Sequence, residues 1–469
     1  MIMNTFSCQI ITDPEIRGKL DRIQKHVRSI ARPVLCLPNI HPKAGLESPP
    51  QFVVATKDTI VPQLTAPAMN CGMSVFKTNL TTDDFSPELL KDFAAKLRAE
   101  VAPRITRLQT LLQWVGLFHR PMMRYDLTRT ELESAFLYGA ASAVKKYRLP
   151  ESNLSSMEYG GCVLSDIEKK GLDLKQLVPR SSYTNGRHEL GYNFGGNHFL
   201  EIHAVEKILD PTKAQQFGIR ENQLLLFYHG GGGHATYHLG RYFARREKNT
   251  PMEKFALFWL KLLFHFGSLE GLRNARIRWQ AYFSRTPFPE IPYASSEGRR
   301  LMQSIKIGLN YGYAFRVALL ARLRDALPES AEISFVWDAA HNSIMEEAVN
   351  GEQLMVHRQD AVRVFTGKPV MVAGWNTLSY LGAGNEPIDF MHSSATPSAG
   401  KTIGAWKKEG KSTEDKSHET LVSRRKEPEL RHETHQTSEG LFAVVSEFEK
   451  EGIIRPVAYL RPLGGLKGQ

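Results

Sequence analysis

The stretch FGGNHFLEIHAV, Phe194 to Val205, puts a bend and a strand side by side. Gly195 and Gly196 let the backbone turn sharply, and the apolar run after them reads as a strand. His198 therefore stands where a loop meets a strand end, the usual place for a functional side chain. The pattern recurs twice. QLLLFYHG (Gln223 to Gly230) is an apolar strand that ends on His229, and FVWDAAHNS carries His341 just past a strand. A fourth turn, PAMNCGMS (Pro67 to Ser74), holds Cys71 beside a glycine in a chain with only four cysteines.

Around these turns, strand and helix signals alternate without the regular interleaving of a doubly wound sheet, which favours an α+β fold. FVVATKDTIVPQL (52–64) is strand-like. Residues 86–101 and 128–147 have helical periodicity, the second opening on a capping-box pattern at Thr128 and Glu131. Residues 297–327 read as a long helix, with Gly308 and Gly312 as candidate break points. EISFVWDAAHNSIMEEAV reads as strand, turn and short helix, and EQLMVHRQDAVRVF as a hairpin. Residues 407–438 carry charges of both signs and only three aliphatic side chains, Leu421, Val422 and Leu430, and so read as a mobile charged insertion.

With 469 residues and 42% hydrophobic content, the chain can build a large core. Its formal charge of +11 suits a polyanionic partner such as nucleic acid or nucleotide. Cys8, Cys36, Cys71 and Cys162 make no CxxC pair and no disulfide framework, and a reducing cytoplasm is the expected compartment. There is no signal-peptide pattern. FALFWLKLLFHF (255–266) is too short to span a membrane and reads as a buried helix.

Cys71 with His198, His229 and His341 offers one thiolate and three imidazoles. That donor set suits zinc or manganese rather than magnesium or calcium. The glycine run Gly230–Gly233 could bring backbone N–H groups to a phosphate, but it lacks the lysine of a P-loop. Arg358 and Arg363 could hold phosphate bidentately, with a cross-strand surface pair as the plain alternative.

Taken in order, the segments resemble the RtcB family of RNA ligases over about residues 36–467. PNIHPKAGLESP, MNCGMSVFKTNL, GGNHFLEI, FYHGGGGH, AAHNSIMEE, VHRQDAVRVF and VAYLRPLGGLKG follow the family's motif order. The resemblance implies a single large domain (1–469) with a central metal-binding cleft. It implies an enzyme that joins an RNA 2′,3′-cyclic phosphate or 3′-phosphate end to a 5′-hydroxyl end, in RNA repair or tRNA splicing, with GTP and one or two manganese ions. It implies Cys71, His198, His229 and His341 as metal ligands, and His392 as the guanylylated histidine. Asn197, Glu201, Ser379 and Lys467 would be nucleotide contacts, and Arg358 and Arg363 phosphate or RNA contacts. The implied partners are RNA ends (tRNA halves or damaged RNA), GTP and an activating or releasing protein factor, with no membrane.

Several family positions differ here. Ala68 stands where the family has a metal-binding aspartate, Asn39 replaces an acid, glycine near Gly233 replaces an arginine, and Trp375 replaces a serine of the nucleotide turn. The turn after His392 is also altered. These departures keep two other readings open: a metal-dependent phosphoesterase or nucleotidyl transferase on the same scaffold, and an RNA-end-binding protein without catalysis.

Overall fold

The computed structural model describes residues 13–101, 106, 108–109, 118, 120–192, 194–244, 250–385, 393–427 and 429–467. In chain order the main strands are β1 (Phe52–Thr56), β2 (Gly72–Thr81), β3 (Phe199–Ile208), β4 (Gln223–Gly230), β5 (Ile333–Ala340), β6 (Asn342–Val349), β7 (Glu352–Gln359), β8 (Pro369–Val372), β9 (Ser379–Gly384), β10 (Glu414–Ser423), β11 (Arg431–Gln436) and β12 (Ile454–Lys467). The main helices are α1 (Pro87–Ala99), α2 (Arg129–Tyr138), α3 (Ala140–Tyr147), α4 (Gly233–Tyr242), α5 (Pro251–Phe266), α6 (Ala275–Tyr282), α7 (Ser296–Ala326) and α8 (Glu439–Lys450).

A nine-stranded sheet runs β8–β9–β12–β3–β4–β2–β5, extended by β10, parallel to β12, and β11, antiparallel to β10. A smaller sheet runs Leu35–Cys36, β1, β7, β6. The central strands are apolar on both faces, so each face carries its own core. Phe76, Leu224 and Leu226 point to the core that contains α7. Val75, Leu225 and Phe227 point to the core shared with β7 and α8. The fold is thus mixed α and β, as the element pattern implies.

The long helix is unbroken through Gly308 and Gly312. These glycines serve close approach instead of a kink: a Cβ on Gly312 would sit 2.5 Å from Cβ of Asn70, in the turn that carries Cys71. Residues 128–147 do break, at Gly139 (φ 54°), where a Cβ would lie 2.1 Å from the carbonyl oxygen of Gly161. The capping box at its start is present, with Glu131 N–H donating to Thr128 Oγ1 and Thr128 N–H donating to Glu131 Oε2.

Three further expectations are corrected. The expected short helix after His341 is strand β6, which pairs with β7 along its whole length. Pairing overrides the helical propensity of Met and Glu there, and the hairpin turn is Asn350–Gly351, both left-handed. Residues 352–365 do not form a hairpin with each other: β7 pairs with β6 and β1, while Val362–Arg363 pairs with Ser394–Ala395. Residues 407–438, expected to be a mobile charged insertion, contain the β10–β11 pair, anchored by Leu421 and Val422 against β12. Finally, α5 is not a buried apolar helix. Its Lys261 and His265 are buried while Phe255, Trp259 and Leu263 face outward. Of the cysteines among the described residues, Cys71 and Cys162 are free and Cys36 is disulfide-bonded.

Candidate metal centre and cleft

Strand register assembles the site. Met73 pairs with His229, and His229 with Phe199 across the next ladder. Cys71, one residue before β2, and His198, one residue before β3, therefore reach the same sheet edge. Gly72 pairs with Ala340 of β5, which brings His341 there as well, its N–H donating to the Cys71 carbonyl at 2.9 Å. The Cys71 turn is held from below. Arg316 of α7, fully buried, donates to the Asn70 carbonyl (3.1 Å) and to Asn70 Oδ1 (2.9 Å), and forms a two-pronged ion pair with Asp338. Gly72 is required at this approach, because a Cβ would meet the Arg316 guanidinium at 2.7 Å.

Cys71 Sγ lies 3.4 Å from His198 Nε2 and 3.8 Å from His229 Nε2. His229 Nε2 lies 3.2 Å from His341 Nε2. His229 donates from Nδ1 to the Asn197 carbonyl at 3.1 Å, and His341 Nδ1 lies 3.0 Å from Asp360 Oδ1. For His229 this places the proton on Nδ1 and leaves the Nε2 lone pair facing the cluster, the arrangement that ligating imidazoles adopt. His198 Nδ1 is buried and without a hydrogen-bond partner among the described residues. Cys71, His198 and His229 present donor atoms within 4.8 Å of one another, close enough to hold a metal ion.

Burial alone would keep the Cys71 thiol protonated. The charges of His341 and His198 outweigh it and hold the thiol well below its ordinary value. Burial likewise opposes charge on His341, but the neighbouring thiolate and Asp360 push its pKa up. For His229 burial dominates and the pKa is lowered. The group therefore favours a thiolate, the form that binds metal.

The cluster opens into a cleft of about 570 Å³ lined by His229, His341, Asn197, Asp360, Trp375, Lys43, Lys401 and Lys467. Lys467 Nζ sits 3.6 Å from the centre of the Trp375 ring. Three lysines beside a cation site suit an anionic ligand. A larger cavity of about 860 Å³, between Lys77, Trp337 and Phe365, contains none of the cysteine or histidine donors.

The other residues singled out by sequence fall elsewhere. Glu201 is fully buried on β3, with Oε2 3.3 Å from His203. Ser379 is buried and its hydroxyl accepts from Gly374 N–H, which shapes the turn lining the cleft. Arg358 is buried, paired at both nitrogens with Glu347 and donating to Ser394. Arg363 is half-buried over the Phe365 ring, 4.7 Å from its centre, and near Glu347. His392 lies outside the described residues. The glycine run is left-handed throughout, from Gly230 to Gly233. The N–H groups of His234 and Ala235 that follow it are taken by the Glu189 carboxylate at 2.8 Å each, so the chain's own anion fills that helix start. Asn39, the replaced acid, accepts from the N–H groups of Lys401 and Thr402 and caps the helix Gly400–Lys408.

Two residues of the cleft escape sequence reasoning. Asp360 looks like one more charge in HRQDAVR, and Lys401 like one of many surface lysines. The one usable signal for Asp360 is an acid in a short turn after a strand that ends in basic residues. Its left-handed backbone (φ 51°) and its contact with His341 exist only in the fold.

A thiolate and imidazoles at one end of an antiparallel sheet, opening on a basic cleft, form a site that could hold a metal ion. Residues 22–468 match the family model described as tRNA-splicing ligase RtcB, and the chain belongs to the RtcB family. It is similar to the tRNA-splicing ligase RtcB of Pyrococcus abyssi (strain GE5 / Orsay), 27% identical over 435 residues, 85% of this chain and 42% of that protein. It is also similar to those of Pyrococcus horikoshii, 26% identical over 85% of this chain and 44% of that protein, and Methanococcus maripaludis, 24% identical over 85% and 80%. The chain thus spans less than half the length of the two Pyrococcus relatives. Among the described residues no helix is long and apolar enough to cross a membrane.

Proposed function

We propose that this chain is an RNA ligase that joins RNA 2′,3′-cyclic phosphate or 3′-phosphate ends to 5′-hydroxyl ends, using GTP and manganese, in cytoplasmic RNA repair or tRNA splicing. One observation carries the reading: Cys71, His198, His229 and His341 converge at the mouth of a cleft lined by Lys43, Lys401 and Lys467.

The cluster offers an ion one thiolate and three imidazoles, with no carboxylate at Ala68, which supports a single well-held ion. When bound, manganese neutralises charge on the transferring phosphoryl group. The chain's own residues do the rest. Asn197 and Asp360 orient His229 and His341. Lys467, stacked on Trp375, presents its charge to the nucleotide, and Ser379 acts by holding the Gly374 turn. Glu201 is close enough to Lys467 to influence its charge. Arg363, the more exposed of the two arginines, meets RNA phosphate, while Arg358 supports it through Glu347.

In this reading a neutral nitrogen of His392 attacks the α-phosphorus of GTP, forming an N–P bond and releasing pyrophosphate. An RNA 3′-phosphate oxygen then displaces the histidine, and a cyclic end is first opened by water. The 5′-hydroxyl finally attacks the RNA phosphorus, losing its proton to solvent as GMP leaves. An activating or releasing protein factor would act on this cycle.

The test is incubation with α-labelled GTP and manganese. The expected result is covalent, acid-labile label that is lost in His392→Ala. Absence of label with metal-dependent release of phosphate from RNA ends would make the protein a phosphoesterase. RNA binding with neither activity would make it a binding protein. Unchanged metal content in Cys71→Ser would remove the proposed metal centre.

A further inference from the structure

Helix α5 is apolar on two faces: Leu257, Leu260 and Phe264 pack against the core, and a second apolar set points outward. Lys261 and His265 face the protein, where Lys261 Nζ donates to the Tyr282 carbonyl at 2.9 Å and His265 stacks on the Tyr282 ring at 4.2 Å. The outward face carries Met252 (82% exposed), Phe255 (69%), Phe258 (39%), Trp259 (52%) and Leu263 (69%). Trp279 of α6, 49% exposed, stacks on Phe283, which touches Phe258, so the apolar surface is continuous. These six side chains expose roughly 600 Å². That is at the upper limit of about 300–600 Å² for the largest apolar patch on an ordinary monomer.

Their order along the helix identifies the occupant. Met252 and Phe266 lie seven residues either side of Trp259, and Phe255 and Leu263 lie four either side. At 100° per residue all five fall on one stripe of the helix, and none carries a charge. The stripe therefore reads the same in both chain directions. Laid antiparallel against its own copy across a two-fold axis at Trp259, it sets apolar on apolar at each step, the requirement of an isologous contact. Two copies would bury roughly 1,200 Å² from the six side chains alone, the lower bound of stable interfaces at about 1,200–2,000 Å². With each copy at +11, a charge-free seam is also the one kind of self-contact that adds no like-charge juxtaposition.

We infer that this face joins two copies of the chain through an antiparallel α5–α5 contact centred on Trp259. The inference is independent of the reaction proposed above. The test is sedimentation of the full chain at micromolar concentration. Wild type is expected at twice 52.9 kDa, with the dimer tightening as salt rises. Trp259→Glu is expected to weaken it by roughly a hundredfold, as loss of a central aromatic anchor does. Both variants used here change an exposed side chain, and an unchanged circular dichroism melt confirms their folding. Trp259→Cys is expected to cross-link to a dimer under mild oxidant where wild type does not, which requires the two positions 259 to meet. Wild type sedimenting as a monomer would overturn the proposal, as would a dimer indifferent to Trp259→Glu. A monomer that binds phosphatidylcholine–phosphatidylserine vesicles through Trp259 would overturn it in favour of a membrane surface.

Discussion

Asp360 Oδ1 lies 3.0 Å from His341 Nδ1, on the side of the ring opposite His229 and Cys71. Lys43 Nζ flanks the same carboxylate at 3.6 Å, and Asn342 Oδ1 accepts from the Asp360 N–H. The negative charge of the carboxylate favours a proton on His341 Nδ1 and raises the basicity of the ring. Burial opposes charge on Asp360, and the hydrogen bond and charge of His341 outweigh it, lowering its pKa.

Asp360→Ala is therefore expected to weaken metal binding by about 10–100-fold, the usual effect of losing an outer carboxylate. Competition with a chelating dye measures it. Unaltered affinity would mean that the cluster positions His341 without Asp360.

Gly312→Ala separates helix propensity from packing. In an exposed helix the change would stabilise by roughly 1 kcal/mol. Here the new Cβ would meet Asn70 at 2.5 Å, and Asn70 is locked by Arg316. Overpacking of this kind costs about 1–3 kcal/mol, so a net loss of denaturant stability is expected, together with lower metal occupancy as the Cys71 turn shifts.

Arg358→Ala tests what the arginine of VHRQD does. It leaves Glu347 buried without its main partner, and a loss of about 3–5 kcal/mol in unfolding free energy is expected. Replacing Arg358 and Glu347 together by leucine should recover most of it. A variant of normal stability with weakened RNA binding would instead assign Arg358 to phosphate.

His357 gives the protein an acid sensitivity. It is fully buried on β7, accepts from Val61 N–H at Nε2 (3.1 Å) and contacts the Met355 carbonyl through Nδ1 (3.1 Å). Burial lowers its pKa to about 4, from an ordinary 6.5. The folded state thus binds fewer protons than the unfolded one between these values. Its contribution is present above pH 6.5 and lost as pH falls towards about 4, with a slope of at most about 1.4 kcal/mol per pH unit. Denaturation curves across that window should show a shallower decline for His357→Gln, whose neutral amide has no such proton to take up.

Much of the site was readable in the chain because each donor is announced locally. Cys71, His198, His229 and His341 all sit where a strand signal meets a turn, and the structure sets them at one sheet edge. Asp360 was not readable, because a carboxylate's role depends on what lies across from it. Arg358 meets the same limit: a basic residue near a turn reads as a phosphate contact, and only the fold shows Glu347 paired with it. NSIMEEAV shows the limit for secondary structure. Its helix formers were a stronger local signal than Asn350–Gly351, yet pairing with β7 decides the conformation. FALFWLKLLFHF misleads in the other direction, since apolar composition does not say which face of a helix its neighbours take.

The amino-acid sequence by itself determined the α+β class, the order of the family's motifs and the four thiol and imidazole candidates. These are properties of residue type and short-range spacing. The tertiary structure alone decided the register that brings residues 71, 198, 229 and 341 together, the burial of Arg316 and Arg358, and the outward face of α5. Those depend on contacts between residues far apart in the chain, where the cost of an unpaired buried charge or a colliding Cβ selects one arrangement, and no local pattern encodes that cost.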